Sequence, residues 1–307
     1  MNGPPITSTV TYPGAWRPDR SSWVDSDGLR LATYEWGDPD GAPVLLAHGG
    51  FDFAGTFDLL APRLADRGLR AISWDQRGHG NSDHSVLYSW EADVRDAAAV
   101  LDTVAPGGSV PVVGHSKGGS LMLQLAESWP HRVSKVVNLD GLPSARSWPD
   151  VPERNRTTML ADEVSGWLDH RAAVADKERR PGTMRELAER RRRMNPRLDV
   201  EWLEYLVGLA ARHDEDGWRW KIDPTLRFGG FGPWKPEWSM WRLPALPMPV
   251  MAVLGLVVEQ MGWGTKPADV MPYLPPGGRL IPLDDAGHFV HIEKPDVIAE
   301  LIGDFLS

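Results

Sequence analysis

Apolar residues in this chain fall into short blocks separated by stripes. Residues 44–47, 69–74, 110–113 and 133–139 are brief runs rich in Val, Ile, Leu and Trp. Runs of that length and branching suit strands buried on both faces. Between them the spacing is helical. Phe57, Leu60 and Leu64 share one face within 57–67, and Val94, Ala98 and Leu101 share another within 92–104. A third helix is expected over 120–128. Near the start, Trp23-Val24 and residues 29–36 flank Asp27-Gly28, which predicts a hairpin. Alternating strands and helices predict an α/β fold with a mostly parallel central sheet.

The pattern changes after Leu142. Up to about Leu246 the chain is charged and helical in spacing, with no buried strand. Residues 186–194 form a basic helix face, and 228–233 read as a glycine-rich loop. Sheet-like runs resume at 249–254 and 279–283, and a closing helix fits 297–306. The expected organisation is a core of residues 1–141 and 246–307, with 1–20 loosely packed. Residues 142–245 form a helical cap, the size of a small domain. Eight of the 15 tryptophans fall in that insertion. Helical spacing assigns at least half of them to its core.

Composition narrows the chemistry. The 307 residues include no cysteine, which excludes thiol catalysis, disulfides and cysteine-ligated metal. A formal net charge of −9 disfavours nucleic acid or an anionic membrane as partner. No apolar run is long enough for a membrane span, and the first residues do not form a secretory signal. A cytoplasmic enzyme acting on a small molecule, as monomer or homodimer, is the expectation. No cofactor is expected, because no dinucleotide or P-loop motif is present, and no metal, because His288, His291 and Asp284 match no ligand spacing.

Gly114-His115-Ser116-Lys117-Gly118 follows the 110–113 strand and opens the next helix. A serine between glycines at such a junction is a nucleophile elbow, with Ser116 protruding at the sheet edge. A hydroxyl needs a base to take its proton. His288, in Ala286-Gly287-His288-Phe289 just past the last strand, occupies the right place in chain order. His291 reads as a rim or surface residue. Attack on an acyl carbon leaves an anion on oxygen, which backbone N–H groups must meet. His48-Gly49-Gly50-Phe51 follows the first buried strand. The expected donors are the N–H of Gly50, with Phe51 as the alternative, and the N–H of Lys117.

These segments, with Asp75-Gln76-Arg77-Gly78-His79-Gly80, stand in the order seen in serine hydrolases of the α/β-hydrolase fold that carry a helical cap. The chain resembles that family over residues 23–145 and 245–307. The resemblance implies a doubly wound sheet, an acyl-enzyme on Ser116, and a structural bracing role for Asp75 and Arg77. It also implies an acid that orients the histidine. The family's usual slot, three residues past Gly255, holds Val258, with Glu259 next to it. A second slot used by some members is the end of the preceding strand, which holds Asp140. Asp140 is the expected acid and Glu259 the alternative.

Phe51, Phe53, His115 and Phe289 are the expected pocket residues and suggest an apolar or aromatic substrate. The run Arg190-Arg191-Arg192-Arg193 reads as a solvated face, with an anion handle as the alternative. The side chain of Lys117 has two readings, out to solvent or into the cap interface. The expected activity is carboxylic-ester hydrolysis. Carbon–carbon hydrolase, lactonase, thioesterase and amidase readings share the same residues. A ligand-binding module with weak turnover and a cofactor-free lyase or oxygenase are readings from other classes.

Overall fold

The computed structural model describes residues 3–6, 8–144, 156–227 and 238–307. Strands β1 (Arg20–Ser26), β2 (Leu29–Trp36), β3 (Ala42–Ala47), β4 (Leu69–Trp74), β5 (Val110–His115) and β6 (Val133–Leu139) come before the insertion. β7 (Ala211–Asp214) and β8 (Gly217–Trp220) lie within it, and β9 (Val250–Gly255) and β10 (Arg279–Leu283) follow it. Eight strands form one sheet in the order β1-β2-β4-β3-β5-β6-β9-β10. β4 through β10 in that order are mutually parallel, and β1 and β2 form an antiparallel flange. The flange turns at Asp27 and Gly28, both at positive φ (52° and 83°), as a two-residue hairpin requires.

The two-residue period of the strands sorts the core. Leu45 and Ala47 of β3 face one side of the sheet, Val44 and Leu46 the other. On the first side lie α2 (Trp90–Val104) and α3 (Lys117–Ser128). On the second lie α1 (Ala61–Ala65) and the closing helix, Pro295–Leu306. The Ser89 hydroxyl caps α2 through the Ala92 N–H, and Glu91 and Asp93 favour its first turn. The helix expected over 57–67 is divided. A 3₁₀ turn at Ala54–Phe57 precedes a short α1, because Pro62 lacks an N–H and fits only a first turn.

The insertion contains α4 (Arg156–Val174), α5 (Met184–Arg192) and α6 (Val200–Ala210). Thr183 and Glu186 close a reciprocal capping box on α5. Strands β7 and β8 pair as a hairpin that the sequence pattern did not announce. Its strands are half-exposed and carry Arg, His and Asp, so no apolar block marked them. Leu203, Leu206 and Val207 of α6 form a third cluster with Phe53 and Phe289 of the core. Of the six described tryptophans here, only Trp202 is fully buried; Trp218 and Trp220 pack at the edge of the same cluster. Trp148, Trp234 and the 228–233 loop lie outside the described residues. Among the described residues no helix is long and apolar enough to cross a membrane.

The N-terminal segment, expected to pack loosely, is tied down. The Tyr12 ring meets Trp202 edge-on at 5.2 Å, and Arg17 lies 4.8 Å over the Tyr205 ring. The Trp36 indole N–H donates to the Trp16 carbonyl, and the Ser21 hydroxyl to Pro4. Aromatic edges and free carbonyls give a polar, proline-containing segment enough to hold on to.

Beyond β4 the chain is braced by buried charge. Arg77 donates twice to Asp96 of α2, at 2.6 and 2.7 Å, and Asp96 also accepts from the Ser26 hydroxyl. Asp75 accepts from the Ala54 and Asn81 N–H groups and from the Tyr34 hydroxyl. Removing one partner leaves a buried charge unpaired. Arg77→Ala is therefore expected to lower the unfolding free energy by about 3–5 kcal/mol, read from the urea midpoint. A shift under about 1 kcal/mol would mean the pair is not load-sharing.

Candidate active site

Ser116 sits between β5 and α3 at φ 53°, ψ −120°. Few side-chain-bearing residues adopt that region, and strain of this kind costs about 1–3 kcal/mol. Its neighbours make the turn fit. A Cβ on Gly114 would run into the Gly118 carbonyl, one on Gly118 into that of Ala47, and one on Gly141 into that of Ser116. The Ser116 N–H donates to Leu139 of β6, and its carbonyl accepts from Gly119 and Ser120 of α3.

His288 is held at three points. Its Nδ1–H donates to Asp140 Oδ2 at 2.7 Å. Its backbone N–H donates to Glu259 Oε2 at 2.6 Å, and its carbonyl accepts from His115 Nε2 at 2.9 Å. Asp140, at φ 49° just past β6, is steadied by the Gly255 N–H on its Oδ1 and by its own N–H on Val253. The two sequence-derived acids therefore do different things. Asp140 meets the imidazole, whereas Glu259 meets the main chain of the same residue. Gly287 is needed for that second contact, since a Cβ there would displace the Glu259 carboxylate. Burial, partly countered by the bond from His288, pushes the Glu259 carboxyl above its usual range. Among the described residues no hydrogen bond joins Ser116 Oγ to His288, and such bonds commonly close only when substrate arrives.

Two more histidines shape the loop after β3. Nδ1–H of His48 donates to the Gly49 carbonyl, and its Nε2 accepts the Gln76 N–H at 2.9 Å. His79 donates from Nδ1 to the Arg77 carbonyl and accepts the Phe51 N–H at Nε2. Burial holds both rings neutral, with His48 pushed down to about 3, so each can accept as well as donate. The Phe51 N–H is thus committed to His79. The Gly50 N–H has no partner among the described residues. The Lys117 N–H opens α3, where first-turn donors have no acceptor in their own helix.

The Lys117 side chain goes neither to solvent nor to the cap. Its ammonium turns under the elbow to Asp93, at 2.6 Å, and to Gln76 Oε1, at 3.0 Å. It also lies 5.5 Å over the Trp90 ring. Gln76 in turn donates to the His48 carbonyl. One chain of contacts therefore connects the residue after Ser116 to the loop carrying Gly50. Gln76 lies in the Asp75–Gly80 segment, but nothing in its spacing marked this link.

Other expectations are corrected. His115 is buried rather than pocket-facing; its ring packs against His288 at 4.7 Å, Phe289 at 4.9 Å and His291 at 4.4 Å. His291 is fully buried, not at a rim, and burial pushes it down to about 3. Phe289 and Phe53 belong to the cluster under the insertion. Phe51 is half-buried, with the Arg179 guanidinium 5.9 Å over its ring. The arginine run is not simply solvated. Arg191 pairs with buried Asp52 at 3.0 Å, and Arg190 donates to the Arg180, Pro181 and Glu186 carbonyls. Among the described residues no group of three His, Asp or Glu side chains could hold a metal ion.

A parallel sheet with an antiparallel flange, a strained serine at the end of its central strand and a carboxylate–imidazole pair beside it define a hydrolase class. Residues 44–301 match the model of the alpha/beta hydrolase family, and the chain belongs to that family. A serine hydrolase-like protein of Dictyostelium discoideum is 35% identical over 120 residues, 37% of this chain and 32% of that protein. This chain therefore spans about a third of that relative's length. A non-heme chloroperoxidase of Streptomyces lividans is 30% identical over 196 residues, 62% of this chain and 70% of that protein. Among solved structures, the thioesterase domain from a curacin biosynthetic pathway superposes with a TM-score of 0.75 at 21% identity, covering 92% of this chain and 98% of that one.

Gln76→Leu cuts the tether between the elbow and the Gly50 loop without touching Ser116 or His288. The expected result is a kcat about tenfold lower with KM unchanged, on active-site-titrated protein, since the loss falls on transition-state contacts. Equal rates for the two proteins would show that the tether positions nothing.

Proposed function

We propose that the protein hydrolyses carboxylic esters of small, largely apolar or aromatic substrates through an acyl-enzyme on Ser116. The observation that carries this reading is the 2.7 Å contact between Asp140 Oδ2 and His288 Nδ1, beside a serine in strained elbow geometry. Asp140 fixes the tautomer that leaves Nε2 unprotonated and facing its task as base. In the proposed reaction Ser116 Oγ attacks the acyl carbon as His288 Nε2 takes the hydroxyl proton. The Gly50 and Lys117 N–H groups receive the developing oxyanion. Collapse expels the alcohol, which leaves with the proton from His288. Water, deprotonated by His288 in turn, then releases the acid and restores Ser116. Phe289, whose ring meets that of His288 at 5.2 Å, supports an apolar acyl or alkoxy group. The absence of cysteine suits a reducing cytoplasm.

The test is covalent labelling. A small aryl phosphonate is expected to add one equivalent to the wild type and none to Ser116→Ala, read by intact mass. No addition to the wild type over hours would favour the binding-module reading instead.

The assignment of the acid is tested separately on an aryl ester. Asp140→Asn is expected to lower kcat by about 10³–10⁴, because the amide holds the wrong tautomer. Glu259→Gln is expected to stay within about tenfold of wild type, since an amide oxygen still accepts the His288 N–H. The reverse ranking would transfer the role to Glu259.

A further inference from the structure

One cavity is lined by none of the candidate catalytic side chains. It occupies about 350 Å³, the lower range of small-ligand sites. Its walls come from the N-terminal segment, from β2, from the loop after β3 and from the insertion. Neither Ser116, Asp140 nor His288 lines it.

The polar lining has an imbalance. Arg17 spends Nη2 on the Ser8 and Val10 carbonyls, and its Nη1 has no hydrogen-bond partner among the described residues. Lys221 donates to Asn81 Oδ1 at 2.8 Å and to the Leu209 carbonyl at 3.4 Å, leaving its third N–H open. Among the described residues no carboxylate forms an ion pair with either cation. Burial lowers the Lys221 ammonium from its usual range, partly offset by the nearby charge of Asp75.

Two acids line the same cavity, and both are engaged. Asp75 uses its two oxygens on Ala54, Asn81 and Tyr34. Asp58 accepts the Tyr205 hydroxyl on Oδ2, and its Oδ1 is buried without a partner among the described residues. Burial pushes the Asp58 carboxyl up to about 8, partly countered by the Tyr205 hydroxyl and by Arg17. The remaining wall is apolar, with Trp36, Phe53 and Trp218. Two cations without an ion-pair partner beside an aromatic wall fit one kind of occupant.

We propose that this cavity is an accessory binding site for a monocarboxylate with an apolar body, its carboxylate between Arg17 and Lys221 and its tail against Trp36 and Trp218. Half-buried cations without an ion-pair partner are costly, and a carboxylate supplies the acceptors they lack. The site joins the N-terminal segment to the insertion, so its occupant also fastens those two parts together.

The experiment is calorimetric titration of octanoate and, as the neutral control, octanamide. Both are titrated into wild type, into Ser116→Ala and into protein blocked at Ser116 by phosphonate. One equivalent of octanoate is expected to bind all three alike, at least about tenfold more tightly than octanamide. Lys221→Gln and Arg17→Gln are each expected to weaken octanoate about tenfold and leave octanamide unchanged. Three results would overturn the proposal: no saturable binding, equal affinity for the two probes, or loss of octanoate on blocking Ser116. The last would put the acid in the catalytic pocket. The comparison of probes on unaltered protein stands even if a variant fails to fold.

Discussion

Everything in this molecule accommodates one backbone turn. Ser116 at φ 53°, ψ −120° lets a hydroxyl stand at the end of a central strand, and the surrounding chain is cleared to permit it. Gly114, Gly118 and Gly141 are glycines because carbonyl oxygens fill the space a Cβ would take. The bond from Ser116 N–H to Leu139 then locks the turn to β6. β6 is also the strand whose end presents Asp140. The same pairing that holds the strained serine therefore places the acid.

Around that turn the protein uses buried polar groups as fixed struts. His48 and His79, both neutral through burial, accept backbone N–H groups that the loop after β3 would otherwise leave open. By taking the Phe51 N–H, His79 distinguishes two donors that look equivalent in the sequence. Lys117, Asp93 and Gln76 connect the elbow to the same loop. Each member is satisfied, which is what makes a buried network stabilising and specific rather than a liability.

The insertion is joined to the core by more than apolar packing. Arg191 reaches buried Asp52, close after the β3 loop, and lies 5.6 Å over Trp220. Arg197 donates to Glu293 and to the Asp285 carbonyl, near the loop of His288. Charged residues of the insertion thus hold both loops that flank Ser116. The N-terminal segment closes the far side, and the cavity at Arg17 and Lys221 lies where the three parts meet.

Local chemistry was enough to read much of this from the chain. The strand blocks of β3 to β6, the Asp27-Gly28 turn, the elbow at Ser116 and the histidine past the last strand all depend on patterns a few residues long. Such patterns are written in side-chain period and glycine placement. The β7–β8 hairpin was invisible because half-exposed strands carry no apolar block. Asp140, with Glu259 as the alternative, was legible as the acid from the slots the resemblance implies, but spacing did not say that both would hold His288. Asp140 and Glu259 are 148 and 29 residues away from it, and the nearer one takes the main chain while the distant one takes the ring. The side-by-side pairing of β6, β9 and β10 sets that division. Likewise, the fate of Lys117, the commitment of Phe51 and the cavity at Arg17 and Lys221 arise from contacts between segments far apart in sequence. Short-range pattern determined which elements form and where a nucleophile could stand; long-range packing decided which charges meet.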